Sequence, residues 1–203
     1  MKNILYALSF AISLVSCANT QKLAGDKTGS MENENLYTDS VIASLQQNND
    51  LVLANVVEAN AWGQSATYQI ITKKGEEWTG YFYYVNLMES AKINGSHPYN
   101  INPVLLPKEA CEAVLKSFEK NNIAAIKGDG GKDFCGSNPP KNCNINDGTT
   151  SRLLWLTKTN IINPSFYEPV FYESCCPGNS DRKKFIEVMQ LIQNTFEKYG
   201  HGR

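Results

Sequence analysis

The sequence predicts an α+β domain in which an antiparallel sheet of about five strands is covered by about three helices. Three observations lead there. Apolar residues recur at helical spacing in three separate stretches. Short β-branched and aromatic runs lie between them, and a charged turn with one glycine joins two of these runs as a hairpin. The glycine-rich stretch 127–150 carries two of the six cysteines, which predicts a disulfide-stapled loop rather than a further element. Connections this short favour antiparallel pairing, and amphipathic helices need a sheet face to cover.

The elements follow in order. Tyr37, Val41, Ile42 and Leu45 form a short amphipathic helix, stopped by the polar run from Gln46 to Asp50. Leu51 to Val57 is an apolar strand. Tyr68–Thr72 and Trp78–Val85 flank the turn Lys73–Glu77, where Gly75 allows the chain to reverse. In the second arm Trp78, Phe82 and Tyr84 share one face, and Tyr81 and Tyr83 share the other. One face must pack on helices; the other is either an exposed aromatic platform or covered in its turn. Residues 91–106, with Gly95, Pro98 and Pro103, read as a loop. Pro107 opens a helix as a first-turn residue, with Cys111, Val114, Leu115 and Phe118 on its buried face and Asn121–Asn122 at its end. Leu153–Leu156 and Phe166–Tyr172 read as two more strands, the second confined to an edge or bulge by Pro169. Asn179 or Ser180 caps a last helix with the stripe Phe185, Val188, Met189, Ile192 and Phe196.

Composition narrows the function classes. The chain has 203 residues, with 19 basic and 20 acidic side chains and a formal charge of −1. A nucleic-acid partner calls for a strongly basic domain or stripe, which is not present in this balance. With 42% hydrophobic and 10% aromatic residues, the chain has the material for a packed core.

The N-terminus speaks of location. Lys2 precedes the mostly apolar run Ile4–Val15, the pattern of a secretory signal peptide and too short for a spanning helix of about 20 residues. The run ends in Leu14-Val15-Ser16-Cys17, which resembles the lipobox of bacterial lipoproteins. The resemblance implies that residues 1–16 are removed and that Cys17 becomes the acylated first residue, placing the protein in the bacterial cell envelope with its domain outside the cytoplasm. Residues 17–36, poor in large apolar side chains, read as a flexible tether. A single domain spans 37–203.

Five cysteines remain: Cys111, Cys135, Cys143, Cys175 and Cys176. Outside the cytoplasm they predict two bridges and one thiol. Cys135 and Cys143 share one loop and are candidates to pair. Cys111, on a buried helix face, is either a packed thiol or the partner of Cys175 or Cys176. A Cys175–Cys176 bridge ranks last. Zinc sites favour Cys pairs two to four residues apart, whereas these cysteines are separated by seven residues or none, so no metal and no cofactor is expected. The catalytic inventory is thin. Ser96 and His97, with Asp129 or Asp133, are the one hydrolase assembly the sequence offers, and His201 reads as a tail residue. Glu168 and Glu173, an odd number of residues apart on one expected strand, would face opposite ways.

The reading is therefore a lipid-anchored binding protein for a protein, effector or glycan partner, with a small envelope hydrolase using Ser96/His97 as the alternative. Trp78, Phe166 and Tyr167 beside the 127–150 loop are the candidate contact residues. Asp147, with Gly148, forms a turn leading to the Leu153 strand or a ligand contact. The anchor is directly testable: in bacterial fractionation the native chain is expected with membranes, and Cys17→Ser is expected to stay unprocessed or to become soluble. Processing and membrane retention of the Cys17→Ser chain like the parent would contradict the lipobox.

Overall fold

The structure, a computed structural model, describes residues 40–59, 65–86, 101–130, 135, 140 and 142–200. Its elements are α1 (Ser40–Asn48), β1 (Leu51–Ala59), β2 (Ser65–Lys74), β3 (Glu77–Asn86), β4 (Asn102–Val104), α2 (Lys108–Lys120), a 3-10 turn (Ile123–Ala125), β5 (Thr149–Leu156), β6 (Ile161–Ile162), β7 (Ser165–Tyr167), α3 (Pro169–Cys175) and α4 (Ser180–Gly200). Among the described residues this gives one antiparallel sheet in the order β4-β3-β2-β1-β5-β6, with β7 also paired to β5.

β1 is the central strand and is apolar on both faces. Val52, Ala54 and Val56 point one way into a core with Tyr68, Ile70, Tyr83, Val85, Leu154 and Leu156, closed by Ile42 of α1. Leu53 points the other way, into a core with Ile71, Leu153 and Phe166 beneath the stripes of α2 and α4. The domain is thus three layers deep, helix on sheet on helices. Each fully buried Leu or Ile in these layers contributes about 1.5–3 kcal/mol relative to exposure.

The hairpin forms as its composition requires. Gly75 sits at φ +58° in the β2–β3 turn, and Asp50 accepts a hydrogen bond from its N–H at 2.8 Å. At Gly80 a side chain would collide with Leu106, so the absence of a Cβ lets the segment before α2 lie against β3. Asn179 caps α4: its side-chain oxygen accepts from the N–H groups of Asp181 and Arg182, both at 3.0 Å. Phe185, Val188, Met189, Ile192 and Phe196 are all buried.

The expected antiparallel sheet covered by helices is present, and several details within it are corrected. Short strands join those the sequence predicts: β4 forms within the expected loop, as a three-residue edge where Pro103 has no N–H to offer the ladder. β6 arises from Ile161–Ile162 between two turns. Pro107 precedes its helix as the cap instead of occupying the first turn. The expected strand Phe166–Tyr172 stops at Tyr167. Glu168 turns to φ +40°, and Pro169, whose ring presets the helical φ, starts α3. Glu173 therefore lies on a helix, not across a strand from Glu168.

Candidate functional site

Among the described residues, two places group side chains that could carry function: a corner built by the cysteines, and an aromatic patch on β3. The corner begins with loop segments that have little apolar surface and are held by polar contacts instead. Residue 128 lies so close to the Ser165 backbone that only glycine fits. The Asp129 N–H donates to the Ser165 carbonyl at 3.1 Å, and the Asp129 carboxylate accepts from the Tyr167 N–H at 2.9 Å. At the loop's other end the Gly148 N–H donates to the Tyr167 hydroxyl at 2.8 Å, and the Tyr167 hydroxyl reaches the Ile145 carbonyl at 3.3 Å. Glu168 accepts from both the N–H and the hydroxyl of Thr149. Asp147, exposed at φ +60°, makes the turn into β5.

Against this frame stand the cysteines. Cys135 is bridged to Cys176 and Cys143 to Cys175, while Cys111 is free and fully buried. The count of two bridges and one thiol holds, but the expected Cys135–Cys143 pairing does not form. The vicinal pair instead takes both loop cysteines. The reason is geometric. α3 ends at Cys175 and delivers two adjacent thiols to the loop, and these bridges span 41 and 32 residues. A single crosslink of that length is worth about 4 kcal/mol by chain entropy, against about 2.5 kcal/mol for the nine-residue closure. Because the two loops overlap, their contributions do not add. Burial pushes the Cys111 thiol up to about 11, so it stays protonated and unreactive at neutral pH.

A buried charge locks the corner to α4. Arg182 is 2% exposed, donates from Nε to Glu173 at 3.0 Å, and donates from its guanidinium to the Cys176 carbonyl. Glu173 also accepts from the Gly178 N–H at 3.1 Å and faces Lys183 at 3.6 Å. Partial burial raises the Glu173 carboxyl, but the Gly178 N–H and the Arg182 guanidinium outweigh it and hold it below its ordinary 4.5.

The other expected contact residues are dispersed. Phe166 is 1% exposed and packs edge-on against Phe185. Tyr167 spends its hydroxyl inside the loop. Trp78 is half-buried against the core near the opposite end of the sheet, with Lys73 5.6 Å from its ring centre. In register, Trp78 lies opposite Lys73 on β2 and thence Leu51, whereas Phe166 follows from Tyr84 through Thr67, Val57 and Ser151. Six residues of strand, roughly 20 Å, separate the two rows. Trp78 and Phe166–Tyr167 therefore do not form one surface. Ser96, His97, Asp133 and His201 lie outside the described residues, as does the tether.

The sequence pattern had grouped Phe82 and Tyr84 with Trp78 without choosing between platform and core, and the structure divides that face. Trp78 and Gly80 lie over the helix-packed part, whereas Phe82 and Tyr84 are 45% and 60% exposed. Their strand neighbours on β2 are Gln69 and Thr67, both half-buried and uncharged. Behind Gln69, Asn55 is 1% exposed and donates to the Gln69 side chain at 2.9 Å. In comparisons with known proteins, the chain matches no family model and no curated sequence.

The Arg182 clamp makes a measurable prediction. Arg182→Met leaves Glu173 partly buried beside Lys183 and is expected to cost about 3 kcal/mol at pH 7, near the low end for breaking a buried pair. Because Glu173 has a depressed folded pKa, the clamp's contribution is present above the ordinary 4.5 and fades as pH falls through the lower folded value. Urea titrations should show the gap between parent and variant shrinking below pH 4.5. A gap unchanged between pH 7 and pH 3 would refute this account of the clamp.

Proposed function

We propose that this chain is a lipid-anchored recognition module of a bacterial cell envelope, tethered at Cys17 and binding a neutral glycan through β3. The observation that carries the binding surface is the pair Phe82 and Tyr84, both exposed and two residues apart on one strand face. That spacing separates the two side chains by roughly 7 Å on a rigid support. Aromatic rings held this way offer apolar faces to the C–H side of a sugar without losing rotamer freedom on binding. Thr67, Gln69 and Asn86 on the same face supply hydroxyl and amide groups, and the face carries no charge in these rows among the described residues. Uncharged hydrogen-bonding groups beside exposed rings suit a ligand rich in hydroxyls better than a charged partner. Among the described residues the other exposed large apolar side chains are Leu105 after β4, Ile161 on β6 and Val170 on α3.

The lipobox supports the location, and the paired cysteines suit an oxidising compartment. Anchoring at Cys17 through two or more acyl chains would hold the module at a membrane surface. A tether of about twenty residues would then give the domain reach.

The test compares the parent with Phe82→Ala/Tyr84→Ala against a panel of neutral polysaccharides and soluble peptidoglycan fragments. Tyr84 is mostly exposed and Phe82 nearly half so, and neither belongs to the two cores, so the variant should unfold close to the parent's temperature while losing roughly 30-fold in affinity, the value of about 2 kcal/mol at an aromatic contact. Equal affinity for parent and variant, or no binding by the parent, would overturn the proposal.

A further inference from the structure

The cysteine corner brings together more than its bridges require. Cys135 and Cys143 belong to different bridges, yet their Sγ atoms are 3.1 Å apart, and those of Cys143 and Cys176 are 3.2 Å apart. The Sγ atoms of Cys135, Cys143 and Cys176 all lie within 4.8 Å of one another, and Cys175 is bonded into the same group through Cys143. Four sulfurs thus share one small volume, with Cys143 buried and the others half-buried. In sequence the spacings of seven residues and none did not suggest a tetrathiolate. The turn from α3 into Pro177–Gly178, bonded to Cys135 and Cys143, supplies the convergence that the spacing lacks.

We propose that, when its two bridges are reduced, this corner is a binding site for a soft closed-shell cation of the Zn²⁺ class, held by Cys135, Cys143, Cys175 and Cys176. A tetrahedral tetrathiolate with bonds of about 2.3 Å places its sulfurs roughly 3.8 Å apart. Opening each bridge lets its two sulfurs separate by about 2 Å, within reach of side-chain rotation. Soft thiolates select this class of cation over oxygen-seeking Mg²⁺ or Ca²⁺.

What keeps the thiols together in the reduced chain is the noncovalent frame. Arg182 holds the Cys176 carbonyl, and Glu173 holds Arg182. Tyr167 and Glu168 hold Gly148 and Thr149, five and six residues beyond Cys143. None of these contacts involves a sulfur, so reduction breaks none of them directly. The metal then meets a prearranged set of ligands rather than an open loop.

The two states interconvert with atoms and electrons accounted for. Each of the two disulfides takes two electrons from one trialkylphosphine, which leaves as the phosphine oxide with its oxygen from water, and that water supplies two protons, giving four thiols in all. One Zn²⁺ displaces four protons and leaves a tetrathiolate of charge −2. Two equivalents of a small disulfide accept four electrons in all, leave as four small thiolates, reform both bridges and release the cation. Cys111, buried in the core, takes no part.

The experiment uses the full chain in detergent with Cys111→Ser as background, reduced anaerobically with a trialkylphosphine, freed of reductant and exposed to Zn²⁺ or Co²⁺. The expected result is one metal retained per chain, a thiolate-to-cobalt charge-transfer band, and affinity that falls on acidification as protons compete for the thiolates. The oxidised chain, the reduced chain alkylated at its thiols, and Cys143→Ser/Cys176→Ser should each lose that retention. Alkylation of the parent makes the test independent of whether the double variant folds. Failure of the reduced parent to retain metal, or equal retention by the oxidised or alkylated chain, would overturn the proposal.

Discussion

Everything in this domain depends on β1 being buried on both faces. A strand with one apolar face can sit at an edge or under a single layer. Leu51–Ala59 instead carries Val52, Ala54 and Val56 on one side and Leu53 on the other, all without exposure. It therefore has to lie mid-sheet with helices above and below. β2 and β5 flank it along most of its length, which sets the register of the whole sheet. On β1 the one fully buried polar side chain is Asn55, whose amide donates to Gln69 across the strand pair. The same register decides which end of β3 is covered by helices and which leaves Phe82 and Tyr84 open. The candidate binding face is thus a consequence of core placement.

A second, nearly separate constraint governs the cysteine corner. Its contacts are polar and covalent: two bridges, the Arg182–Glu173 pair and the hydrogen bonds of Asp129, Tyr167 and Glu168. Such contacts are directional and hold a shape, but they bury little apolar surface. The large apolar terms lie in the two cores. This division lets the sulfur chemistry of the corner change while the sheet stays folded. It also explains why an arginine is buried here. Removing Arg182 would leave Glu173 and the Cys176 carbonyl without their main donor, whereas the intact group fixes the position of the vicinal pair.

Legibility from sequence followed the physics of each region. Where periodicity and burial coincide the elements were readable: the stripe from Phe185 to Phe196, the face Cys111–Phe118, and the hairpin around Gly75 all stand as their spacing implies. Where a local backbone choice decided, they were not. Phe166–Tyr172 has strand composition throughout, yet Glu168 in a left-handed conformation and Pro169 at a helix start convert its second half to helix. β4 and β6 are too short for a period to show. The disulfide count followed from parity and the expected compartment, but the pairing followed from where α3 ends, which no spacing rule contains. Phe82 and Tyr84 were visible as aromatics on one face, and their exposure depended on the length and placement of helices distant in sequence.

The central claim is that the sheet and its two cores stand without the bridges, while the bridges and the Arg182 clamp hold only the corner. Native-state hydrogen exchange, measured residue by residue on the oxidised and the reduced, metal-free chain, tests it most directly. The account predicts that reduction lowers protection in residues 142–149 and in α3, while β1, β2, β5 and the buried face of α4 keep theirs. Loss of protection throughout β1 and α4 on reduction would show that the bridges hold the whole fold and would contradict the account.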